Sequence, residues 1–412
     1  MIKRAAILST GDELTTGKVI DTNSAFIADR LFSMGIKVAA VLKVGDDREA
    51  LLWAMREAAD LGEIIIGTGG LGPTEDDLTS EVVAEFLGRP LVQNEEIAAA
   101  LRKRFEARRI PWTANNLKQA LFPQGAEILP NPVGTAPGFR VSFGENKTLS
   151  WLSGVPQEMT AMFDLAVMPW IVAMRGGQDQ IFSQAFKVYG LTESKLDDLV
   201  KPIGLEPGIK LSFRAHYPDL TLRVTVAGAS EEQRRFIETC KRIRLILGSH
   251  IYAEGDTTLE QRVGQLLSER HRTLALAESC TGGLISHRIT GIAGSSAYYL
   301  GGVTSYANDV KVKLLGVTPA TLEKYGAVSQ ETALEMSHGI RERIGADFGL
   351  SVTGIAGPGG GTPEKPVGTV WISIAQAKNH EARLFQFHGD RERIILGTSQ
   401  AALNWLRLAL LE

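Results

Sequence analysis

Ser279 and Cys280 stand side by side in LALAESCTGGLISHR, residues 274–288, and either is chemically able to act as a nucleophile. An apolar run leads in and a helically periodic run leads out, so the pair falls on a strand-to-helix corner. Amide hydrolysis at such a corner needs a nucleophile, a base for its proton and donors for the developing oxyanion. Thr281, Gly282 and Gly283 open the helix, and their backbone N–H groups are the expected oxyanion donors. A catalytic cysteine is normally paired with a histidine. Neither His287, two turns down the helix, nor His388, in a distant FHGDR segment, offers that pairing. Cys280 therefore reads as a small packing residue. For Ser279 a lysine is available in TSYANDVKVKLLG, residues 304–316. A strand is predicted to end there at Tyr306 and a helix to start near Asn308, with Lys311 one turn in and Lys313 facing solvent. Taken alone, Lys311 reads as a surface lysine. Desolvated beside a tyrosine, it would have a pKa low enough for a base.

A second cluster lies in IIIGTGGLGPTEDDLT, residues 64–79. Gly69, Gly70 and Gly72, between Thr68 and Thr74, let the backbone approach a ligand and turn its N–H groups inward. A helix predicted over about Asp76–Leu87 would add the positive end of its dipole, which suits a phosphate. Glu75, Asp76 and Asp77 would repel that phosphate unless a divalent cation lay between them; they read equally as first-turn helix acids. Asp12, Glu13 and Asp21 stand at the mouth of the first strand, where open α/β sheets bind ligands, and each is also readable as a solvated loop acid. GDELTTGKV at 11–19 is not a P-loop: its glycines are one residue too far apart, and Val19 replaces the required Ser or Thr. LSVTGIAGPGGGTPEKPVGTV, residues 350–370, reads as strand, glycine loop and strand. The loop, beside Thr353, is either a plain connection or a wrap around a phosphate or ribose.

These clusters need a scaffold, and 412 residues exceed what one hydrophobic core usually organises. With 44% hydrophobic and 22% charged residues the composition is that of a soluble globular protein. A formal net charge of −3 argues against a chain-wide grip on nucleic acid. Two cysteines, Cys240 and Cys280, imply no disulfide framework and a reducing compartment. With no signal-peptide pattern and no run of membrane-span length, a cytoplasmic location is expected. Alternating strand and helix patterns over 1–175 predict an α/β domain, with GGQDQ at 176–180 as a linker. Residues 176–253 read as a small α+β module, and 254–412 as a further α/β domain. A basic helix in the middle module carries Arg234, Arg235, Lys241, Arg242 and Arg244; it is read as a solvated face, with a nucleic-acid contact as the alternative.

Several long motifs in order carry a resemblance. GDELTTGKVIDTNS, GTGGLGPTEDDLT, NPVGTAPGF (131–139) and SGVPQEM (153–159) resemble the molybdopterin-binding-like domain of the CinA family. GLTESKLDDLV (190–200), with its Glu193-Ser194 pair, is similar to the family's KH-like middle segment, although HYPDLTLRV is short where relatives often carry a longer turn. The stretch from ALAESCTGG to HGDRE resembles the nicotinamide-nucleotide amidase domain. The resemblance implies Ser279 as nucleophile, Lys311 as general base and Tyr306 as a supporting neighbour. It implies substrate contacts at Thr281, Gly282, Gly283, Asn308, Thr353, Gly357 and Arg391, the last meeting a phosphate, with Arg393 as its alternative and Asp390 as a helix cap. No cofactor is implied at that site. For the N-terminal domain it implies a metal-dependent ADP-ribose pyrophosphatase. Phosphate would lie on Thr68, Gly69, Gly70, Gly72 and Thr74, and Mg, Mn or Co on Asp12, Glu13, Asp76 and Asp77. The implied substrates are nicotinamide mononucleotide and ADP-ribose, handled by a homodimer in pyridine-nucleotide recycling, with neither membrane nor nucleic acid as partner. A molybdopterin-binding protein, or a nucleic-acid-binding competence protein without hydrolase activity, is the alternative.

Overall fold

Arg4–Thr10, RAAILST, forms strand β1, and every residue after Arg4 is buried. An unbroken buried run is what a strand covered on both faces requires. Ala6 and Leu8 pack with Leu51, Met55 and Ala58 of helix Arg48–Leu61, whereas Ala5 and Ile7 pack with Ile27 and Leu31 of helix Thr22–Ser33. Strand alternation thus makes a three-layer domain. These coordinates are a computed structural model that describes residues 4–109, 111–174 and 180–412. Of the expected linker at 176–180, residues 176–179 lie outside the described residues. The chain forms two compact units, residues 1–182 with 226–233, and residues 183–225 with 234–412.

In the first unit β1 pairs in parallel with β2 (Lys37–Val44) and β3 (Ile64–Thr68). β4 (Leu91–Gln93) and β5 (Leu121–Pro123) form a separate two-stranded ribbon. With β6 (Glu127–Leu129), β7 (Gly138–Phe143) and β8 (Lys147–Leu152) the main sheet is ordered β2-β1-β3-β8-β7-β6. Helices start where the sequence offers a cap: Asp21 and Asp47 accept from Ser24 and Ala50 N–H groups. The helix predicted from Asp76 instead begins at Thr79 and closes at Gly88 with φ +61°. Asp77 accepts from the N–H and hydroxyl of Thr74, which ties residues 74–77 into a turn and delays the helix.

The second unit holds two sheets. The smaller contains β9 (Gln180–Val188), β10 (Lys210–His216), β11 (Asp219–Gly228) and β12 (Ile251–Glu254), ordered β10-β11-β9-β12. The larger contains β13 (Leu274–Glu278), β14 (Tyr299–Thr304), β15 (Phe348–Gly354), β16 (Thr369–Ala375) and β17 (His380–Gln386), ordered β14-β13-β15-β16-β17. β13 is an interior strand, fully buried and parallel to β14 and β15. Leu274 and Leu276 face the C-terminal helix Arg391–Ala409, while Ala275 and Ala277 face Met336 and Ile340 of helix Gln330–Ile344. Among the described residues no helix is long and apolar enough to cross a membrane.

Helix Gln330–Ile344 crosses helix Asn308–Leu315 at Gly339, where an added Cβ would come within 1.6 Å of the Leu315 carbonyl oxygen. We expect Gly339→Ala to destabilise the protein by about 1–3 kcal/mol, because overpacking against backbone outweighs alanine's helix propensity. Urea unfolding measures this; an unchanged midpoint would refute the close approach.

Candidate functional site

The Ser279–Cys280 corner is built from β13. The Ser279 N–H donates to the Val352 carbonyl of β15 at 3.1 Å, and the Ser305 N–H donates to the Glu278 carbonyl at 2.7 Å. Ser305 thereby closes β14 at Thr304, two residues before the predicted end at Tyr306. Gly282 and Gly283 take φ of +62° and +99°, a turn that side chains with a Cβ resist. Helix Leu284–Thr290 starts only after them. The reason is the Glu278 carboxylate, which is 1% exposed. It accepts from Thr281 Oγ1 at 2.7 Å, Gly283 N at 3.1 Å, Ile285 N at 3.0 Å, Ser286 N at 2.8 Å and Ser286 Oγ at 2.6 Å.

That carboxylate corrects the expected oxyanion donors. The Gly283 N–H and the Thr281 hydroxyl are held by Glu278, and the Gly282 N–H donates to the Ser279 carbonyl at 3.1 Å. The N–H groups of Cys280 and Thr281 keep no protein acceptor among the described residues. Sequence reasoning gave Glu278 no role. Its signal was an acid ending a fully apolar strand, with Thr281 and Ser286 within the next eight positions.

Lys311 is not a surface lysine. It is 1% exposed, and its Nζ donates to Ser279 Oγ at 3.2 Å, the Ser305 carbonyl at 2.6 Å and the Tyr306 carbonyl at 3.5 Å. Among the described residues no carboxylate lies within ion-pair distance of it. Burial lowers its pKa from 10.5. Lys313, by contrast, is exposed and pairs with Asp309 at 3.9 Å. Cys280 is buried, and desolvation pushes its thiol up to about 12, far from a thiolate nucleophile at neutral pH. His287 and His388 are both exposed.

Around this pair, Arg391 donates to the Gly357 carbonyl at 2.8 Å and to the Tyr306 hydroxyl at 2.9 Å, joining glycine loop, strand end and C-terminal helix. Asp390 caps that helix by accepting from the Arg393 N–H at 2.8 Å. The Arg393 guanidinium lies instead over the Tyr217 ring at 3.9 Å. Asn308 is exposed at the start of its helix. Thr353 is buried and donates to the Ala327 carbonyl at 2.7 Å, so its hydroxyl proton is committed to the scaffold.

In the N-terminal domain a cavity of about 550 Å³ is lined by Gly69, Gly70 and Gly72 together with Glu13, Asp76 and Asp77. Thr68 and Asp46 also line it. A Cβ on Gly69 would meet the Thr10 carbonyl at 2.3 Å, and one on Gly70 the Thr79 hydroxyl at 2.3 Å. Asp12 and Thr74 do not line the cavity. Asp12 accepts from the Asp46 N–H at 3.1 Å, Asp46 accepts from the Asp12 N–H at 3.0 Å, and Thr74 is turned to Asp77. Burial, with Asp12 and Glu13 nearby, raises the Asp46 pKa. Among the described residues no three His, Cys, Asp or Glu side chains gather into a preformed metal cluster.

Two substitutions separate the roles of the buried charges. Lys311→Met should leave the protein as stable as before or up to about 2 kcal/mol more stable at neutral pH, since a buried cation without a carboxylate is replaced by an apolar chain. Because burial lowers the folded-state pKa below 10.5, wild-type stability rises with pH between those values and the gap to Lys311→Met narrows. Glu278→Gln should cost about 2–4 kcal/mol, since an amide cannot accept from all five donors. Thermal and urea unfolding across pH decide both; a Lys311→Met protein clearly less stable than wild type would contradict the first.

Residues 6–173 match the family described as probable molybdopterin binding domain, 183–253 the damage-inducible protein CinA KH domain, and 256–410 the CinA C-terminal domain. A CinA-like protein of Geotalea uraniireducens is 42% identical over 411 residues, covering 99% of this chain and 98% of its own. A putative competence-damage inducible protein of Halothermothrix orenii is 43% identical over 406 residues, covering 98% and 97%. The solved competence/damage inducible protein CihA of Agrobacterium tumefaciens is 43% identical over a match that covers 37% of this chain and 94% of that one, with TM-score 0.36. With all three domain families in order and relatives matched along nearly the full length, the chain belongs to the CinA family.

Proposed function

We propose that the C-terminal domain hydrolyses the carboxamide of nicotinamide mononucleotide to nicotinate mononucleotide and ammonia. The observation that carries this reading is the contact of two buried groups, Lys311 Nζ at 3.2 Å from Ser279 Oγ. A lysine desolvated without a carboxylate has a raised neutral fraction and can accept the serine proton. Ser279 Oγ attacks the carboxamide carbon, the C–O bond forms, the carbonyl electron pair moves onto oxygen and the proton passes to Lys311. The N–H groups of Cys280 and Thr281 are the donors left for that oxyanion. Collapse breaks the C–N bond, and ammonia leaves with the proton from Lys311. Water, deprotonated by Lys311, then cleaves the acyl-serine ester, and the proton returns to Ser279. Arg391, oriented by Gly357 and Tyr306 and without a carboxylate in ion-pair range among the described residues, suits the substrate phosphate.

For the N-terminal domain the reading is cleavage of the diphosphate of ADP-ribose, so that both domains serve pyridine-nucleotide recycling. The cavity's donors are all oxygens, and its acids would repel a diphosphate by themselves. They fit a hard cation that takes one or two carboxylates and completes its shell with phosphate and water, not an all-protein cage. One or two of Glu13, Asp76 and Asp77 would hold Mg, Mn or Co, and Gly69 and Gly70 would let backbone approach the phosphates. Such an ion supplies Lewis-acid polarisation of a phosphoryl oxygen. The match of residues 6–173 to a probable molybdopterin binding domain favours a second reading, a pterin in the same cavity, which copurified pterin fluorescence would reveal.

Ammonia release from nicotinamide mononucleotide should fall at least about 1000-fold in Ser279→Ala and stay within about threefold in Cys280→Ala. Loss in both variants with folding intact would sink the serine assignment. In wild type kcat/KM should rise with pH through an ionisation below 10.5, since the base must be neutral; a flat profile argues against Lys311. A chelator should abolish ADP-ribose cleavage and leave ammonia release untouched. Chelator-resistant cleavage would overturn the metal-assisted reading.

A further inference from the structure

The proposed amidase steps make no use of the β10–β11 hairpin, yet its tip is built into the C-terminal helix. Tyr217 donates its hydroxyl to the Arg393 carbonyl at 3.2 Å, and its ring lies 3.9 Å from the Arg393 guanidinium. The seat is Gly397, where an added Cβ would come within 2.3 Å of the Tyr217 hydroxyl oxygen and 3.0 Å of the Phe387 ring. Asp219, two residues on, accepts from the Tyr252 hydroxyl at 3.0 Å and from the Gln400 amide. Gln400 accepts from Arg288 at 2.7 Å, and Arg288 donates to Ser399 at 2.9 Å. Arg288 lies on helix Leu284–Thr290, which the Glu278 carboxylate anchors behind Ser279. One hairpin tip is therefore joined to both elements that flank the nucleophile: directly to the C-terminal helix, and through Gln400 to the helix after the corner.

We propose that the middle module positions the amidase site, with Tyr217 a positioning residue for Arg391. Arg391 and Arg393 share the first turn of one helix, capped by Asp390. A main-chain shift at Arg393 is transmitted to Arg391, whose guanidinium spans the Gly357 carbonyl and the Tyr306 hydroxyl. Geometry at the phosphate end depends directly on that span, whereas the Ser279–Lys311 contact is linked to it only through the long 3.5 Å contact of Lys311 with the Tyr306 carbonyl. Losing the seat therefore weakens substrate binding more than chemistry. The kinetic consequence rests on the amidase reading; the positioning of the helix start does not.

The experiment uses the full chain in wild-type, Tyr217→Ala, Tyr217→Phe and Gly397→Ala forms. Steady-state ammonia release from nicotinamide mononucleotide is measured beside amide hydrogen exchange over residues 388–397. In Tyr217→Ala we expect KM to rise about tenfold with kcat within about threefold, and exchange to quicken about tenfold. Tyr217→Phe keeps the ring over Arg393 and should recover most of the KM. Gly397→Ala fills the seat and should reproduce Tyr217→Ala with the tyrosine intact. Unchanged KM and unchanged exchange in Tyr217→Ala would overturn the proposal. So would an equal fall of kcat and kcat/KM in Tyr217→Ala and Tyr217→Phe, the mark of general weakening. If the wild type releases no ammonia, the amidase reading fails by itself, and the exchange measurement alone decides whether Tyr217 holds the helix start.

Discussion

A lysine buried to 1% exposure with, among the described residues, no carboxylate in ion-pair range is unfavourable in its charged form, and several elements of the C-terminal domain meet at it. Among the described residues, Lys311 Nζ meets two carbonyls and one serine hydroxyl. The Ser305 carbonyl is available because Ser305 ends β14, its N–H turned to the Glu278 carbonyl. Helix Asn308–Leu315 then carries Lys311 inward, and helix Gln330–Ile344 closes over it at Gly339 without a side chain in the way. Each element keeps the Lys311 amine buried beside Ser279.

Glu278 is the complementary device. A carboxylate at the end of a central strand would be as costly as the lysine, but five donors from the following turn and helix surround it. Acid and lysine do not neutralise each other. The acid fixes the turn that holds Ser279 while Lys311 has no carboxylate in ion-pair range among the described residues, and an ion pair between the two would oppose the lowering of the Lys311 pKa. In the N-terminal domain the same logic is unresolved by protein groups alone. Acids line one cavity, and burial, with Asp12 and Glu13 nearby, raises the Asp46 pKa.

Much of the architecture was legible from periodicity. β1 to β3, the helices between them, β13 and the strand–loop–strand of residues 350–370 lie where apolar runs, helical periodicity and glycines put them. Local side-chain chemistry moved the boundaries. Asp77 folds back on Thr74 and delays one helix, Glu278 gathers the N–H groups of another, and Ser305 ends β14 early. Thr353 lay beside a glycine loop in sequence, but strand alternation turns its hydroxyl to the Ala327 carbonyl. Asp12 was expected at the mouth of the first strand and Asp76 after the glycine turn, both as metal ligands, yet of the two only Asp76 lines the cavity.

By itself the sequence determined the candidates: a Ser-Cys doublet on a strand-to-helix corner, a lysine one turn into a later helix, glycines beside acids in residues 64–79, and further acids at the mouth of the first strand. Those features are local, set by residue type and by periods of two and 3.6. Whether Lys311 meets solvent or serine was decided only by tertiary structure, because residues 279 and 311 meet through the pairing of β13 with β14. The same holds for Arg391 over Arg393: both lie in one helical turn, and the side chains packed around that turn send one to Tyr306 and the other to Tyr217. Desolvation, which sets the protonation of Lys311, is a property of those packed neighbours and has no counterpart in an extended chain.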